Sequence, residues 1–147
     1  MIRQLWYAVL ESKELRDGPL GLTRMGERMV FWRDASGKPV CLYDRCAHRG
    51  ASLALGAICD GRIQCPFHGL EYDPSGRCAR IPANGKSAPV PPGFAMRSYP
   101  THEEDGIIWI WWGEDPPADL DPPLFFDDLK DKKVWRTVRD PWDNHYT

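Results

Sequence analysis

Apolar residues in this chain fall in short runs bounded by turn formers, and no long stretch repeats them at helical spacing. Glu27-Arg28-Met29-Val30-Phe31-Trp32 and Val40-Cys41-Leu42-Tyr43 concentrate β-branched and aromatic side chains, and Asp34-Ala35-Ser36-Gly37 between them supplies turn chemistry. That order predicts a hairpin. It recurs where Leu70-Glu71-Tyr72 is followed by Asp73-Pro74-Ser75-Gly76 and then Arg77-Cys78-Ala79-Arg80-Ile81, a second strand, turn and strand. Ile107-Ile108-Trp109-Ile110-Trp111-Trp112 is apolar throughout and stops at Gly113, which predicts a central core strand covered on both faces. Beyond it Glu114-Asp115-Pro116-Pro117 and Asp121-Pro122-Pro123 remove ladder donors and add like charges, so residues 116–133 read as an acidic, proline-rich linker. Val134-Trp135-Arg136-Thr137-Val138-Arg139 predicts one more strand. Residues 134–147 then read as the start of a further domain, cut short at His145-Tyr146-Thr147.

Composition agrees with a mainly β chain: 14 prolines, 13 glycines and 7 tryptophans in 147 residues suit short strands and tight turns. That length allows one ordinary domain with its own core. The net charge of −2, with both signs interspersed, gives no footprint for nucleic acid or an anionic membrane surface. No apolar run is long enough to span a bilayer, and the opening Met1-Ile2-Arg3-Gln4-Leu5-Trp6 lacks a signal-peptide core, so the expectation is a cytoplasmic protein. Five cysteines are an odd number for a disulfide framework, and in a reducing compartment they remain thiols able to bind metal.

The chemistry sits between the two hairpins. Cys46-Ala47-His48 and Cys65-Pro66-Phe67-His68 each offer one thiolate and one imidazole, with sixteen residues between His48 and Cys65. Two sulfurs and two nitrogens suit a tetrahedral zinc ion. They equally suit a Rieske-type [2Fe–2S] cluster, in which one iron takes two thiolates and the other two imidazoles. Spacing alone leaves both open. The flanks do not: Gly50 and Gly69 let backbone amides approach the cluster sulfurs, whereas Arg49, Pro66, Gly69 and Tyr72 would add nothing to a zinc site.

With those flanks, Cys46-Ala47-His48-Arg49-Gly50-Ala51 and Cys65-Pro66-Phe67-His68-Gly69-Leu70-Glu71-Tyr72 resemble the two halves of the Rieske motif of Rieske non-haem iron oxygenases. Trp6-Tyr7-Ala8-Val9 with Glu14-Leu15, Gly76-Arg77-Cys78 leading to Ile81-Pro82, and Gly106-Ile107-Ile108-Trp109 are similar to the rest of that family's N-terminal domain, over residues 1–115. The resemblance implies a Rieske iron–sulfur fold of antiparallel sheets with a small cluster-binding subdomain, and Cys46, His48, Cys65 and His68 as ligands. It implies single-electron transfer from a ferredoxin or flavin reductase to a mononuclear Fe(II) that activates dioxygen, in a homotrimer. That iron would lie in a catalytic domain beyond these residues, so this chain by itself would not oxygenate a substrate. Where respiratory Rieske proteins have a bridging pair of cysteines, this chain has Ala51 and Phe67, which implies a potential near the bottom of the roughly −150 to +300 mV Rieske range. Leu70 after His-Gly and the direct opening on Trp6-Tyr7 resemble the short oxygenases of the vanillate O-demethylase type.

A free-standing Rieske ferredoxin is the rival, but the acidic linker and the Trp135 segment would have no purpose there. Cys41, Cys59 and Cys78 read as small buried hydrophobes, His102 as a solvated turn residue, His145 as a supporting residue of the next domain, and the tryptophans of 109–112 as core. Arg49 and Arg62 are candidates to border the histidine edge and dock an acidic redox partner.

Overall fold

The computed structural model describes residues 2–85, 88–114, 116–117 and 119–124. Among them run eleven strands: β1 (Leu5–Glu11), β2 (Leu20–Arg24), β3 (Glu27–Arg33), β4 (Pro39–Tyr43), β5 (Ala57–Cys59), β6 (Arg62–Gln64), β7 (Glu71–Tyr72), β8 (Cys78–Arg80), β9 (Ser98–Tyr99), β10 (Thr101–Glu104) and β11 (Ile107–Trp112). They form three antiparallel sheets, ordered β1-β11-β10, β2-β3-β4-β9 and β5-β6-β7-β8. Both hairpins expected from the pattern are present, as β3–β4 and β7–β8. Among the described residues no helix is long and apolar enough to cross a membrane.

Side chains alternate across a strand, so a run that is apolar throughout must bury two faces. In β3 they do. Met29 and Phe31 join Val9, Leu10, Ile108, Ile110 and Tyr99 in the core between the first two sheets. Val30 and Trp32 join Leu42, Leu53, Ile63, Tyr72, Cys46 and Cys65 in the core beneath the third. All four β3 residues are fully buried.

β3 is therefore covered on both faces and β11 is not, which corrects the expectation for Ile107–Trp112. β11 is central in its sheet, but only Ile108, Ile110 and Trp112 are buried. Trp109 and Trp111 belong to an outer aromatic layer with Trp6, whose ring meets Trp111 edge-on at 6.0 Å. Part of the expected linker lies along this layer, where the Trp6 indole N–H donates to the Asp121 carbonyl at 2.8 Å. The rest of the linker, the Val134–Arg139 strand and His145 lie outside the described residues. His102 is likewise corrected: it is a half-buried residue of β10, paired across to Trp109, with Nε2 3.1 Å from Glu104 Oε2.

The third sheet is an excursion from the second. The chain leaves at the end of β4 and returns at β9, where Cys41 pairs with Tyr99 and Leu42 with Ser98. Trp32 ties the two together, its indole N–H donating to the Gly61 carbonyl at 3.0 Å. Gly56 opens this subdomain with a φ of −91° that any residue adopts, yet a Cβ there would sit 1.9 Å from the Gln64 carbonyl oxygen. Gly56→Ala must therefore push the backbone away from Gln64, next to Cys65, and should cost about 1–3 kcal/mol. A denaturant midpoint equal to the parent's would contradict this close approach.

The turns Asp34-Ala35-Ser36-Gly37 and Asp73-Pro74-Ser75-Gly76 have the same wiring. Asp34 Oδ1 accepts from the Ser36 amide at 2.8 Å, the Ser36 hydroxyl at 2.7 Å and the Lys38 amide at 3.0 Å. Asp73 Oδ1 accepts from the corresponding groups of Ser75 and Arg77 at 2.9, 2.6 and 3.2 Å. Burial opposes ionisation at both, but the donors outweigh it and hold both carboxyls below their ordinary value of 3.8. A depressed folded-state pKa stabilises the fold above the unfolded value and loses that contribution as pH falls through the folded value. Stability should thus decline below about pH 4, and Asp34→Asn should flatten that decline in urea titrations between pH 5 and roughly pH 2.5.

Candidate metal centre

The four residues singled out in the sequence converge at the tip of the subdomain, on two loops with matching backbones. In the first, which follows β4, the Cys46 amide donates to the Ala51 carbonyl at 2.8 Å and the Gly50 amide to the Cys46 carbonyl at 2.8 Å. In the second, between β6 and β7, the Cys65 amide donates to the Leu70 carbonyl at 2.8 Å and the Gly69 amide to the Cys65 carbonyl at 3.0 Å. Each loop is thus a knuckle closed on its own cysteine. Gly50 and Gly69 both have φ of 72°, a left-handed conformation that side chains with a Cβ resist. The loops differ in where histidine falls, two residues after Cys46 and three after Cys65.

Burial sorts the donors. The cysteines are inside, at 3% and 2% exposure, whereas His48 and His68 are on the surface. The two imidazoles face each other with Nδ1 atoms 3.1 Å apart and ring centroids 4.7 Å apart. Phe67 packs against His68 at 4.0 Å and Phe94 against His48 at 6.2 Å, restricting both rings. Burial pushes the Cys65 thiol up, the amides of Phe67 and His68 pull it back, and neighbouring Cys46 pushes it up again. The Cys46 sulfur lies 3.1 Å from the Tyr72 hydroxyl. Burial, then the contact with Cys46, raises the Tyr72 hydroxyl far above its ordinary range, so it keeps its proton and is the donor whenever Cys46 is a thiolate.

Sulfur lies with sulfur and nitrogen with nitrogen. A single tetrahedral ion would draw all four donors to one point. Paired donors fit a binuclear cluster with unlike irons. Of the other cysteines, Cys41 and Cys78 are buried as expected and Cys59 is half-buried, all as free thiols. Arg49 is exposed beside His48, whereas Arg62 lies 3.6 Å from buried Glu71, which also takes Arg80 at 3.0 Å. One contributor went unassigned in the sequence: Tyr72, on the Cys46 sulfur, was visible only as a flank of the second knuckle.

Comparison with known proteins places this arrangement. The Rieske [2Fe-2S] domain family matches residues 5–100, and the chain belongs to that family, whose domains bind a [2Fe–2S] cluster. Over 116 residues it is 42% identical to aminopyrrolnitrin oxygenase PrnD of Pseudomonas fluorescens, covering 76% of this chain and 32% of that protein. Over 124 residues it is 39% identical to the chloroplastic chlorophyllide a oxygenase of Oryza sativa subsp. japonica, covering 84% and 22%. The crystal structure of apo dicamba monooxygenase superposes with a TM-score of 0.73 at 38% identity, over 82% of this chain and 36% of that one. These relatives are oxygenases and not free-standing ferredoxins, and this chain spans about a third of their length or less.

Proposed function

We propose that Cys46 and Cys65 ligate one iron of the [2Fe–2S] cluster as thiolates, that His48 and His68 ligate the other through Nδ1, and that the chain relays single electrons within an oxygenase. The observation that carries this reading is the sorting of donors, a buried sulfur pair and an exposed imidazole pair with Nδ1 atoms 3.1 Å apart. The cluster supplies a one-electron couple, and neutral imidazoles in place of charged thiolates keep its potential above that of an all-cysteine centre. The protein's part is to position and polarise. Tyr72 and the amides of Phe67 and His68 direct hydrogens at the two sulfurs, favouring the more negative, reduced state. The exposed imidazoles give an electron a short path to a protein seated against them.

The relay serves a larger oxygenase protein. Residues 1–115 are its Rieske domain, 116–133 a linker and 134–147 the start of a catalytic domain whose mononuclear non-haem iron receives the electron. A ferredoxin or flavin reductase delivers it, the assembly is a homotrimer and the compartment is the cytoplasm. The oxygenase relatives support the destination of the electron, and exposed Arg49 beside His48 suits an acidic donor.

His68→Cys replaces a neutral ligand by a charged one and should abolish the Rieske spectrum or lower the midpoint potential by a few hundred millivolts. An unchanged spectrum and potential would remove the ligand assignment. Tyr72→Phe keeps the buried ring and loses the hydroxyl, so the reduced state loses a hydrogen bond. With a one-electron couple moving 59 mV per tenfold change in equilibrium, a differential of about 1 kcal/mol lowers the midpoint by about 40 mV, readable by voltammetry. A midpoint at or above the parent's would exclude a hydroxyl bonded to a ligating sulfur.

A further inference from the structure

The two knuckles are alike inside but are closed differently at their bases. The second is a hairpin loop. Gln64 and Glu71 pair directly opposite each other on β6 and β7, so the ladder brings together the residues that flank Cys65–Leu70. The first has no such ladder. It leaves β4 in the second sheet and leads through a 3-10 turn, Leu53–Leu55, to β5 in the third sheet. Loop ends that no ladder joins need another device to hold them together, because chain entropy drives them apart.

Asp44 is that device in geometry. It is the first residue after β4, and its side chain is only 6% exposed. Its amide donates to the Arg28 carbonyl at 2.9 Å, fixing the departing end of the loop to β3. Its carboxylate reaches across to the returning end, where Oδ2 accepts from the Ser52 hydroxyl at 2.6 Å and Oδ1 from the Ala54 amide at 2.9 Å. Arg28 Nη2, 3.4 Å from Oδ2, supplies a charge partner from a mostly exposed side chain. Cys46 and His48 lie between the two ends so joined. At the corresponding place before Cys65, two residues upstream, stands apolar Ile63, where the ladder makes a carboxylate unnecessary.

We propose that Asp44 is a positioning residue for the metal centre: its carboxylate does for the Cys46–His48 knuckle what the β6–β7 ladder does for the Cys65–His68 knuckle. It touches neither thiol nor imidazole and acts by fixing the spacing of the loop ends. This rests on the ligand assignment proposed above, which His68→Cys tests independently.

The test uses the full chain loaded with its cluster. Asp44→Ala leaves the Ala54 amide and Ser52 hydroxyl without their acceptor. It should broaden the EPR lines of the reduced centre and speed cluster loss to an iron chelator about tenfold, because a half-buried amide and a hydroxyl lose their acceptor. Asp44→Asn keeps an oxygen for the Ala54 amide and a donor for the Ser52 hydroxyl, so line width and loss rate should return to within about twofold of the parent. Ile108→Val, in the other core, controls for general destabilisation and should leave the line width unchanged. Should Asp44→Ala yield no folded protein, Ser52→Ala removes one donor only and should give an intermediate broadening. Parental line width and loss rate in Asp44→Ala, or in Ser52→Ala where that variant decides, would overturn the proposal, as would Asp44→Asn behaving like Asp44→Ala. If His68→Cys also leaves the spectrum unchanged, the ligand assignment has failed. If it abolishes the spectrum while the Asp44 variants change nothing, only the positioning role has failed.

Discussion

The bonds from the Cys46 amide to the Ala51 carbonyl and from the Cys65 amide to the Leu70 carbonyl turn each cysteine back on its own loop. Around them, side chains with opposite solvation preferences must be held side by side. A thiol is a small hydrophobe until it binds metal, and it gains by burial. An imidazole tolerates water on one edge. The knuckle meets both demands within three or four residues, because its cysteine sits at the closed base over Leu53, Ile63 and Tyr72 while its histidine rides at the open crest. The three sheets can be understood as the support that keeps two such knuckles facing each other.

That support is layered. Trp32 belongs to the second sheet, packs beneath the knuckles and bonds to Gly61 at the far turn of the third, so the subdomain is anchored through its floor as well as through its two chain connections. Close packing leaves no room for slack: Gly56 is against the Gln64 carbonyl, and Gly61 is against the Ala35 amide, 2.4 Å from where a Cβ would stand. A site built on tightly packed short strands holds its donors more exactingly than one on free loops.

The legible parts of the sequence were those where a local signal and the tertiary outcome coincide. The β3–β4 and β7–β8 hairpins carry β-branched or aromatic residues around Asx turns, and both form. The convergence of the two Cys/His loops was legible because knuckle chemistry is local, so Gly50 and Gly69 flag the loops as clearly as Cys46, His48, Cys65 and His68 do. β5 and β6 were missed because three-residue strands with only Ile63 fully buried show no alternation. Their signal was Asp60-Gly61, left-handed at both residues with φ of 51° and 74°, the primed hairpin turn that Asp105-Gly106 repeats between β10 and β11. β10 was hidden by its polarity. Thr101-His102-Glu103-Glu104 reads as a solvated turn, yet as an edge strand it needs only ladder bonds and the pairing of Glu103 with Arg33 at 2.8 Å. The Asp44 contacts are out of reach of any local pattern, since their partners lie at Arg28, Ser52 and Ala54.

The place where the third sheet joins the second bears on how such a centre travels between proteins. The chain departs after Tyr43 and comes back at Arg97, whose carbonyl accepts the Tyr43 amide at 2.9 Å. Departure and return are therefore neighbours on one ladder, and with everything between them deleted β4 and β9 would remain the two arms of an ordinary hairpin. The redox module is thus a cassette with a two-strand socket. Any antiparallel sheet able to spare one hairpin, and to present an indole where Trp32 stands, has the geometry to accept it.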